Sequence, residues 1–411
     1  MYDVIVVGAR VSGSSVAMLL ARKGYRVLAV DRTTFPSDTV STHYIHQAGL
    51  SRLQDWGLLD KVIESGCPPI RHLNFSYTDI SLDGFADPID GIDAVYCPRR
   101  TVLDSILVDG AREAGVEVIE NFTVDELVIS DGVVRGIRGH EGDGPEQEFR
   151  SSIVIGADGA NSTVASKVGA DIYKTSPGGC FIYYSYYSGI DWGMQHRTGF
   201  GEQQFASWPT NDGLSLVAVM RKRDRFRDFR ADPDGGMEEI VDAVDPKYGE
   251  ELRDSAVREE PFRPMLYPDN FYRRSFGPGW ALVGDAGYHK DPFTGWGITD
   301  SFKYAELLSE RVHEGLAGSR PMSDALEDYQ NTRDEQSAGT YELTTSISDL
   351  KLTPYYDSVF RAASKSPEYT KKFFGLIAGG IPGEEFFSPT NLADLYAEVD
   401  LPHGDRHLTS A

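Results

Sequence analysis

The first 31 residues constrain this chain more than any other stretch. Val4, Ile5, Val6 and Val7 form an unbroken apolar run that ends in Gly8-Ala9-Arg10-Val11-Ser12-Gly13. Such a run, closed by a glycine turn, predicts a strand over residues 3–7 buried on both faces of a parallel sheet. A helix is expected over 13–23 with Gly24 at its C-cap, then a second strand over 25–30 that ends in Asp31. The glycines of this turn permit a tight bend, a close approach of backbone to a pyrophosphate, and close helix–strand packing. The free N–H groups and positive dipole end of the helix favour phosphate. Asp31 stands where it can accept hydrogen bonds from a ribose. Candidate dinucleotide-binding residues are therefore Gly8, Arg10, Gly13, Asp31 and the adjacent Arg32. Arg10 occupies the place of the second glycine; either its side chain points away from the pyrophosphate or the close contact there is loosened.

Two later strand ends repeat the theme. Residues 153–156 read as a buried strand, followed by Asp158-Gly159-Ala160-Asn161-Ser162. A strand running into a glycine-flanked Asp puts a carboxylate at the carboxyl edge of a parallel sheet, where ligands bind. The competing reading is an Asp-Gly turn in which Asp158 caps a short helix. Near residue 279 a third buried run delivers Gly284, Asp285 and Ala286, and Pro292, Gly295, Trp296 and Gly297 lead into a helix from Ile298. That helix N-terminus favours negative charge. Packing alone does not account for three such strand ends in this order, so Asp158, Gly159, Gly284, Asp285, Pro292, Gly295 and Gly297 join the candidates.

Elsewhere the pattern predicts helices over 46–56, 59–65 and 101–114, and a strand over 116–119. A hairpin of 127–129 and 133–137 should turn at Asp131-Gly132. After residue 172 the chain changes character. Residues 181–187, 203–208 and 214–221 are aromatic or β-branched runs between Gly, Pro and Asn turns, which suggests antiparallel strands. A hairpin near 72–85, entered through Pro68-Pro69, belongs with them. From residue 300 onward the chain reads as mostly helical, with the final residues frayed. There is no internal repeat and no low-complexity segment. The expected fold is α/β. A discontinuous Rossmann-type nucleotide-binding domain takes residues 1–71, 95–171 and 275–345, with an inserted antiparallel β-sheet substrate domain over 72–94 and 172–274. A helical C-terminal region follows over 346–411.

Composition narrows the partners. A net charge of −23 speaks against nucleic acid, whose binding needs concentrated positive charge. No run approaches the roughly 20 apolar residues of a membrane span, and the first strand starts too early to leave room for a cleavable signal, so a cytoplasmic location is expected. Cys67, Cys97 and Cys180 are scattered without CxxC spacing, which argues against disulfides and against a metal site.

On these three motifs the chain resembles the single-component FAD-dependent monooxygenases typified by p-hydroxybenzoate hydroxylase, a fold shared with geranylgeranyl reductases and flavin-dependent halogenases. The resemblance covers roughly residues 1–345. It implies that the glycine fingerprint holds the ADP half of a non-covalent FAD. The GADG motif, Gly156 to Gly159 with Ser162, is associated with FAD and NAD(P)H. Asp285 would hold the ribityl chain. Arg100, Leu103 and Asp104 meet the family's Arg-x-x-Leu-Asp, which implies that Arg100 lies against FAD. The chain departs from the family at Ala165, where an Arg is common, at Tyr288, where a His is usual (His289 is adjacent), and at Tyr304, often an Asp. These departures bear on nicotinamide specificity rather than on the flavin. The WxWxIP signature of tryptophan-type halogenases is absent, and so is the YxWxFP-like stretch of geranylgeranyl reductases.

The resemblance therefore implies an oxidoreductase in which NADPH or NADH reduces FAD and molecular oxygen gives a flavin hydroperoxide that hydroxylates a small hydrophobic or aromatic molecule. Family habit points to secondary metabolism. The alternatives are a reductase or dehydrogenase of the geranylgeranyl reductase type, and a halogenase served by a partner flavin reductase. The protein is expected as a monomer or homodimer. His43, His46 and His289 are candidate proton relays, since imidazole titrates near neutral pH; a buried or surface histidine with a purely structural role is the competing reading. On the tyrosine-rich strand, either Tyr184 and Tyr186 or Tyr183 and Tyr187 would wall a substrate pocket, because neighbours alternate across a sheet; a packed sheet face is the alternative. Phe293, beside Pro292, is a further candidate substrate contact.

Overall fold

The computed structural model describes residues 1–399. The expected fraying of the last residues, and the end of the helical region drawn to residue 411, lie outside the described residues.

The apolar run at the N-terminus forms the strand Tyr2–Val7, with Val27–Val30 on one side and Glu146–Gly156 on the other, both parallel to it. Glu117–Ile119 extends the parallel sheet at one end and Trp280–Leu282 at the other. Alternation along the central strand sorts its side chains into two layers. Val4 and Val6 pack with Met18, Leu20, Leu103 and Leu107 beneath the helices, while Ile5 and Val7 pack with Phe122, Ile137 and Trp280 on the opposite face. The helix layer consists of Val11–Arg22 between Arg100–Glu113 and Gly297–Leu316. The opposite layer is an antiparallel meander, Phe122–Ser130 and Val133–Glu141 running into Glu146–Gly156. Its first turn is at Asp131-Gly132, both with positive φ as a two-residue hairpin loop requires.

A second sheet has the strand order Val257–Arg258, Cys180–Ser188, Ser215–Lys222, Gln203–Pro209, Met194–Gly199, Leu73–Tyr77, Ile80–Gly84. It is antiparallel except where Met194–Gly199 runs parallel to Leu73–Tyr77. That exception corrects the all-antiparallel expectation. The Leu73–Tyr77 hairpin arrives from a distant part of the chain, so no tight turn dictates its direction. Two helices in this region, Pro233–Val244 and Pro246–Asp254, were not read from the sequence. Each begins with an Asp cap followed by Pro, a start signal that was available at Asp232-Pro233 and Asp245-Pro246.

The helix Phe226–Ala231 together with Pro233–Val244 buries one face of the Cys180–Ser188 strand. Phe181, Tyr183 and Tyr187 pack with Phe229, Met237 and Ile240. Ile182, Tyr184 and Tyr186 turn to the other side and share a core with Phe360, Phe373 and Phe374 of the C-terminal helices Pro354–Ala363 and Pro367–Ala378. These two helices also pack on Ile80–Gly84.

Candidate active site

The carboxyl edge of the parallel sheet opens onto a cavity of about 670 Å³. Of the thirteen residues read from the motifs, eleven line it: Gly8, Arg10, Asp31, Arg32, Arg100, Asp158, Gly159, Asp285, Pro292, Gly295 and Gly297. The remaining two, Gly13 and Gly284, lie behind the wall. A Cβ on Gly13 would collide with the Gly8 carbonyl, and one on Gly284 with Ser12 Oγ. These glycines close the packing between turn, helix and strand, while Gly8, with φ +97°, makes the turn itself.

Two helices aim uncapped N-termini at this cavity. Arg10 precedes Val11–Arg22 and Trp296 precedes Gly297–Leu316, and neither supplies a side-chain cap. Val11, Ser12, Ile298 and Ser301 from these first turns line the cavity. Free N–H groups and two positive dipole ends thus converge on one space, an arrangement suited to phosphate and to a ring that becomes anionic on reduction.

Arg10 does point away from the turn. Its guanidinium pairs with Asp104 and reaches the Ser37 carbonyl and hydroxyl. Asp104 is fully buried and also takes Arg100 Nε at 3.0 Å and Nη2 at 2.8 Å. One carboxylate therefore clamps two arginines of the cavity wall. This is the physical reason an Arg is tolerated at the second glycine position. Asp31 accepts from the Ala9 N–H at 2.7 Å and from the Thr33 N–H at 2.9 Å, which fixes the turn and leaves lone pairs for a ribose.

Asp158 behaves as the competing reading proposed. Its carboxylate accepts from Ser162 Oγ and from the N–H groups of Thr163 and Val164, capping the helix Thr163–Lys167 while forming part of the cavity wall. Asp285 is held below the usual carboxylate range: burial pushes it up, and the nearby His289, Lys290 and Arg100 outweigh burial. His289 is nearly inaccessible. Its Nδ1 lies 3.3 Å from Asp285 Oδ2 without hydrogen-bond alignment, and Nε2 has no partner. A buried, unpartnered imidazole edge on the wall fits a bound group with a polar rim, such as a flavin.

His43 and His46 are both buried. His43, in the left-handed region at φ +62°, meets Tyr186 Oη at 2.6 Å through Nε2. Burial, reinforced by Arg100, Arg99 and Arg263, pushes its pKa far below the usual value, so it stays neutral. Tyr186 lies under the Arg99 guanidinium, and Tyr184 Oη accepts from the Ser41 N–H at 3.3 Å. The two tyrosines thus brace the cavity-lining loop around Ser41 from behind, and neither lines the cavities described here.

A second, apolar pocket of about 70 Å³ shares Thr42, Pro292 and Gly295 with the large cavity. Its walls include Phe293, Phe75, Trp208, Met220, Phe373 and Phe374. Phe293, a candidate substrate contact, lines this pocket. Sequence reasoning missed Lys290, on the large cavity and bonded to Asp300 and to Tyr288 Oη, and it missed the C-terminal helices that close the pocket. Apolar residues on those helices look like ordinary core in sequence.

The pocket histidines give a pH prediction. Burial pushes His46 down to about 3 and His196 down to about 4. Below pH 6.5 the unfolded chain protonates both while the folded chain does not, so stability falls as pH drops from 6.5 toward 4. Asp291 acts oppositely, because burial pushes it up to about 6 and the folded state binds its proton first. Urea midpoints measured from pH 7 to 4.5 should decline. The decline should be shallower in His196→Gln and steeper in Asp291→Asn.

Fold and cavity together define a dinucleotide-dependent oxidoreductase whose ligand lies across the carboxyl edge of a Rossmann-type sheet. The chain belongs to the FAD binding domain family, whose profile spans residues 1–342, and is an FAD-dependent enzyme. The digeranylgeranylglycerophospholipid reductase of Methanosarcina mazei is 27% identical over 329 residues, 77% of this chain and 76% of the reductase. Among solved structures, the flavin-dependent brominase Bmp2 matches 97% of this chain and 98% of its own with a TM-score of 0.81 at 18% identity. PqsL from Pseudomonas aeruginosa, a probable FAD-dependent monooxygenase, matches 91% and 99% with a TM-score of 0.70 at 18% identity. At those identities the two structures show the shared fold. No helix among the described residues is long and apolar enough to cross a membrane.

Proposed function

We propose that this protein is an NAD(P)H-dependent monooxygenase that hydroxylates a small aromatic molecule held in the apolar pocket. The observation that carries this reading is the shared wall. Thr42, Pro292 and Gly295 face both the dinucleotide cavity and the apolar pocket, so a substrate there lies next to the FAD ring system. Bound FAD supplies the two-electron chemistry and the reaction with oxygen. The chain's part is binding, orientation and exclusion of water. Gly8, the first turn of Val11–Arg22 and Asp31 hold the ADP half. The N-terminus of Gly297–Leu316 and Asp285 face the other half, and Phe293 and Phe75 wall the substrate. The pocket lining holds no Lys, Arg, Asp or Glu, and His46 and His196 stay neutral.

Pocket size supports a small substrate. A cavity of roughly 150 Å³ admits a benzene ring, so a single ring needs some outward movement of the walls here, and a long isoprenoid chain needs far more. The likeness to the archaeal reductase favours a second reading, reduction of an alkene without oxygen incorporation. Turnover under ¹⁸O₂ with NADPH or NADH distinguishes the two. One labelled oxygen atom in the product is expected, and an unlabelled, hydrogenated product would overturn the monooxygenase reading.

A further inference from the structure

Tyr267 belongs to none of the three strand-end motifs, yet it lines the large cavity. It lies in the link from Arg263–Met265, which pairs with Cys180–Ser188 of the second sheet, to the strand Asn270–Arg273. The backbone of this link is tied down. The Tyr267 carbonyl accepts from Arg223 Nη2 at 3.0 Å, and Arg223 Nη1 pairs with Asp269 at 2.8 Å. Asp269 also takes the Gly178 N–H at 3.1 Å. A pinned backbone delivers its side chain to one place, as a binding residue requires.

The direction of that side chain follows from its neighbours. The Tyr267 ring lies 5.8 Å from the ring of His289, another residue of the cavity wall. Burial pushes the phenol well above its usual pKa; Tyr184, Asp291 and Asp285 reinforce the rise, and Arg100 opposes it. Asp285 and Arg100 line the same cavity, so the phenol sits on the side proposed for the flavin half of the cofactor. By surface area, however, Tyr267 is only half-buried, and its hydroxyl is not one of the interior polar atoms sealed off without a partner. A group deep enough to resist ionisation that still keeps accessible surface opens into an enclosed cavity and not into bulk water. Among the described residues the hydroxyl has no hydrogen-bond partner, and at neutral pH it stays protonated with its donor hydrogen free.

An aromatic ring with a free O–H suits a flavin, which offers a flat ring system rimmed by carbonyl and ring-nitrogen acceptors. We infer that Tyr267 is a further FAD-binding residue, supplied from outside the nucleotide-binding motifs: its ring packs against the flavin half of the cofactor and its O–H donates to the polar rim. The contact is independent of the choice between oxygenation and alkene reduction.

FAD binding and flavin emission test this without turnover. Because the hydroxyl bonds to no described protein group, Tyr267→Phe should leave the urea midpoint of the flavin-free protein unchanged. The same substitution should weaken FAD about two- to tenfold, the worth of one hydrogen bond. A phenol in contact with a flavin also quenches its fluorescence, by lending the light-excited ring an electron that then returns; the phenyl ring of Phe is too hard to oxidise to do so. Bound FAD should therefore emit more strongly, and with a longer lifetime, in Tyr267→Phe than in the unaltered protein. Tyr267→Leu, which removes the ring as well, should weaken FAD further. The inference is overturned if Tyr267→Phe leaves either FAD affinity or flavin emission unchanged, or if FAD affinity falls only in step with the stability of the flavin-free protein.

Discussion

Gly13→Val is expected to yield protein without FAD. Any Cβ at this position meets the Gly8 carbonyl, a backbone atom that cannot swing aside, and then the Ala157 side chain. The first turn of Val11–Arg22 would have to move away from the Gly8 turn, and the free N–H groups at its start would leave the pyrophosphate. The effect has two parts. Overpacking of this kind costs about 1–3 kcal/mol of stability. Loss of the bound dinucleotide removes the further stabilisation that a ligand confers on the folded state. Flavin released by heat denaturation, counted per polypeptide, should fall to near zero, and the thermal midpoint should not respond to added FAD. Full flavin occupancy in Gly13→Val would show that the Gly8 turn does not approach the cofactor closely.

Asp104→Leu should be the most destabilising single substitution near the cavity. Asp104 has no accessible surface and neutralises both Arg10 and Arg100, whose side chains are themselves mostly covered. Removing one partner of a buried charge group costs about 3–5 kcal/mol, because the remaining charges stay buried without compensation. Here two arginines are orphaned at once. Urea unfolding of the flavin-free protein reports this directly, and combining Asp104→Leu with Arg100→Leu should recover part of the loss. If Asp104→Leu alone lowers stability by less than about 1 kcal/mol, the arginines find water or other partners, and the clamp is not what holds the two walls together.

The parts of the molecule legible in the sequence share one property: a strong local signal with a single physical solution. The run from Val4 to Val7 ending at Gly8 could only be a doubly buried strand, and Asp131-Gly132 specified its hairpin. The dinucleotide cavity was legible for the same reason, since glycines where backbone must approach backbone leave a fixed spacing. Asp158 shows the limit. An Asp after a strand can face a ligand or cap a helix, and only the position of the Thr163 and Val164 N–H groups decides between them. Tyr183 to Tyr187 could not be sorted by pattern, because both faces of that strand are buried: Tyr183 and Tyr187 pack among Phe229, Met237 and Ile240, and Tyr184 and Tyr186 against His43 and Arg99. The apolar pocket was the least visible feature. Its walls come from many separate stretches of chain, from Thr42 to Ile377, and Phe75, Trp208 and Phe373 are indistinguishable in sequence from ordinary core.

The proposed function requires FAD in the dinucleotide cavity beside the apolar pocket, reduced directly by a nicotinamide. The measurement that tests this most directly is the visible spectrum of the purified protein under anaerobic titration with NADPH and then NADH. A protein-bound flavin spectrum that bleaches with one of the two donors and returns when air is admitted is expected. A bound flavin that dithionite reduces but neither nicotinamide touches would contradict the proposed function and would assign electron delivery to a separate reductase.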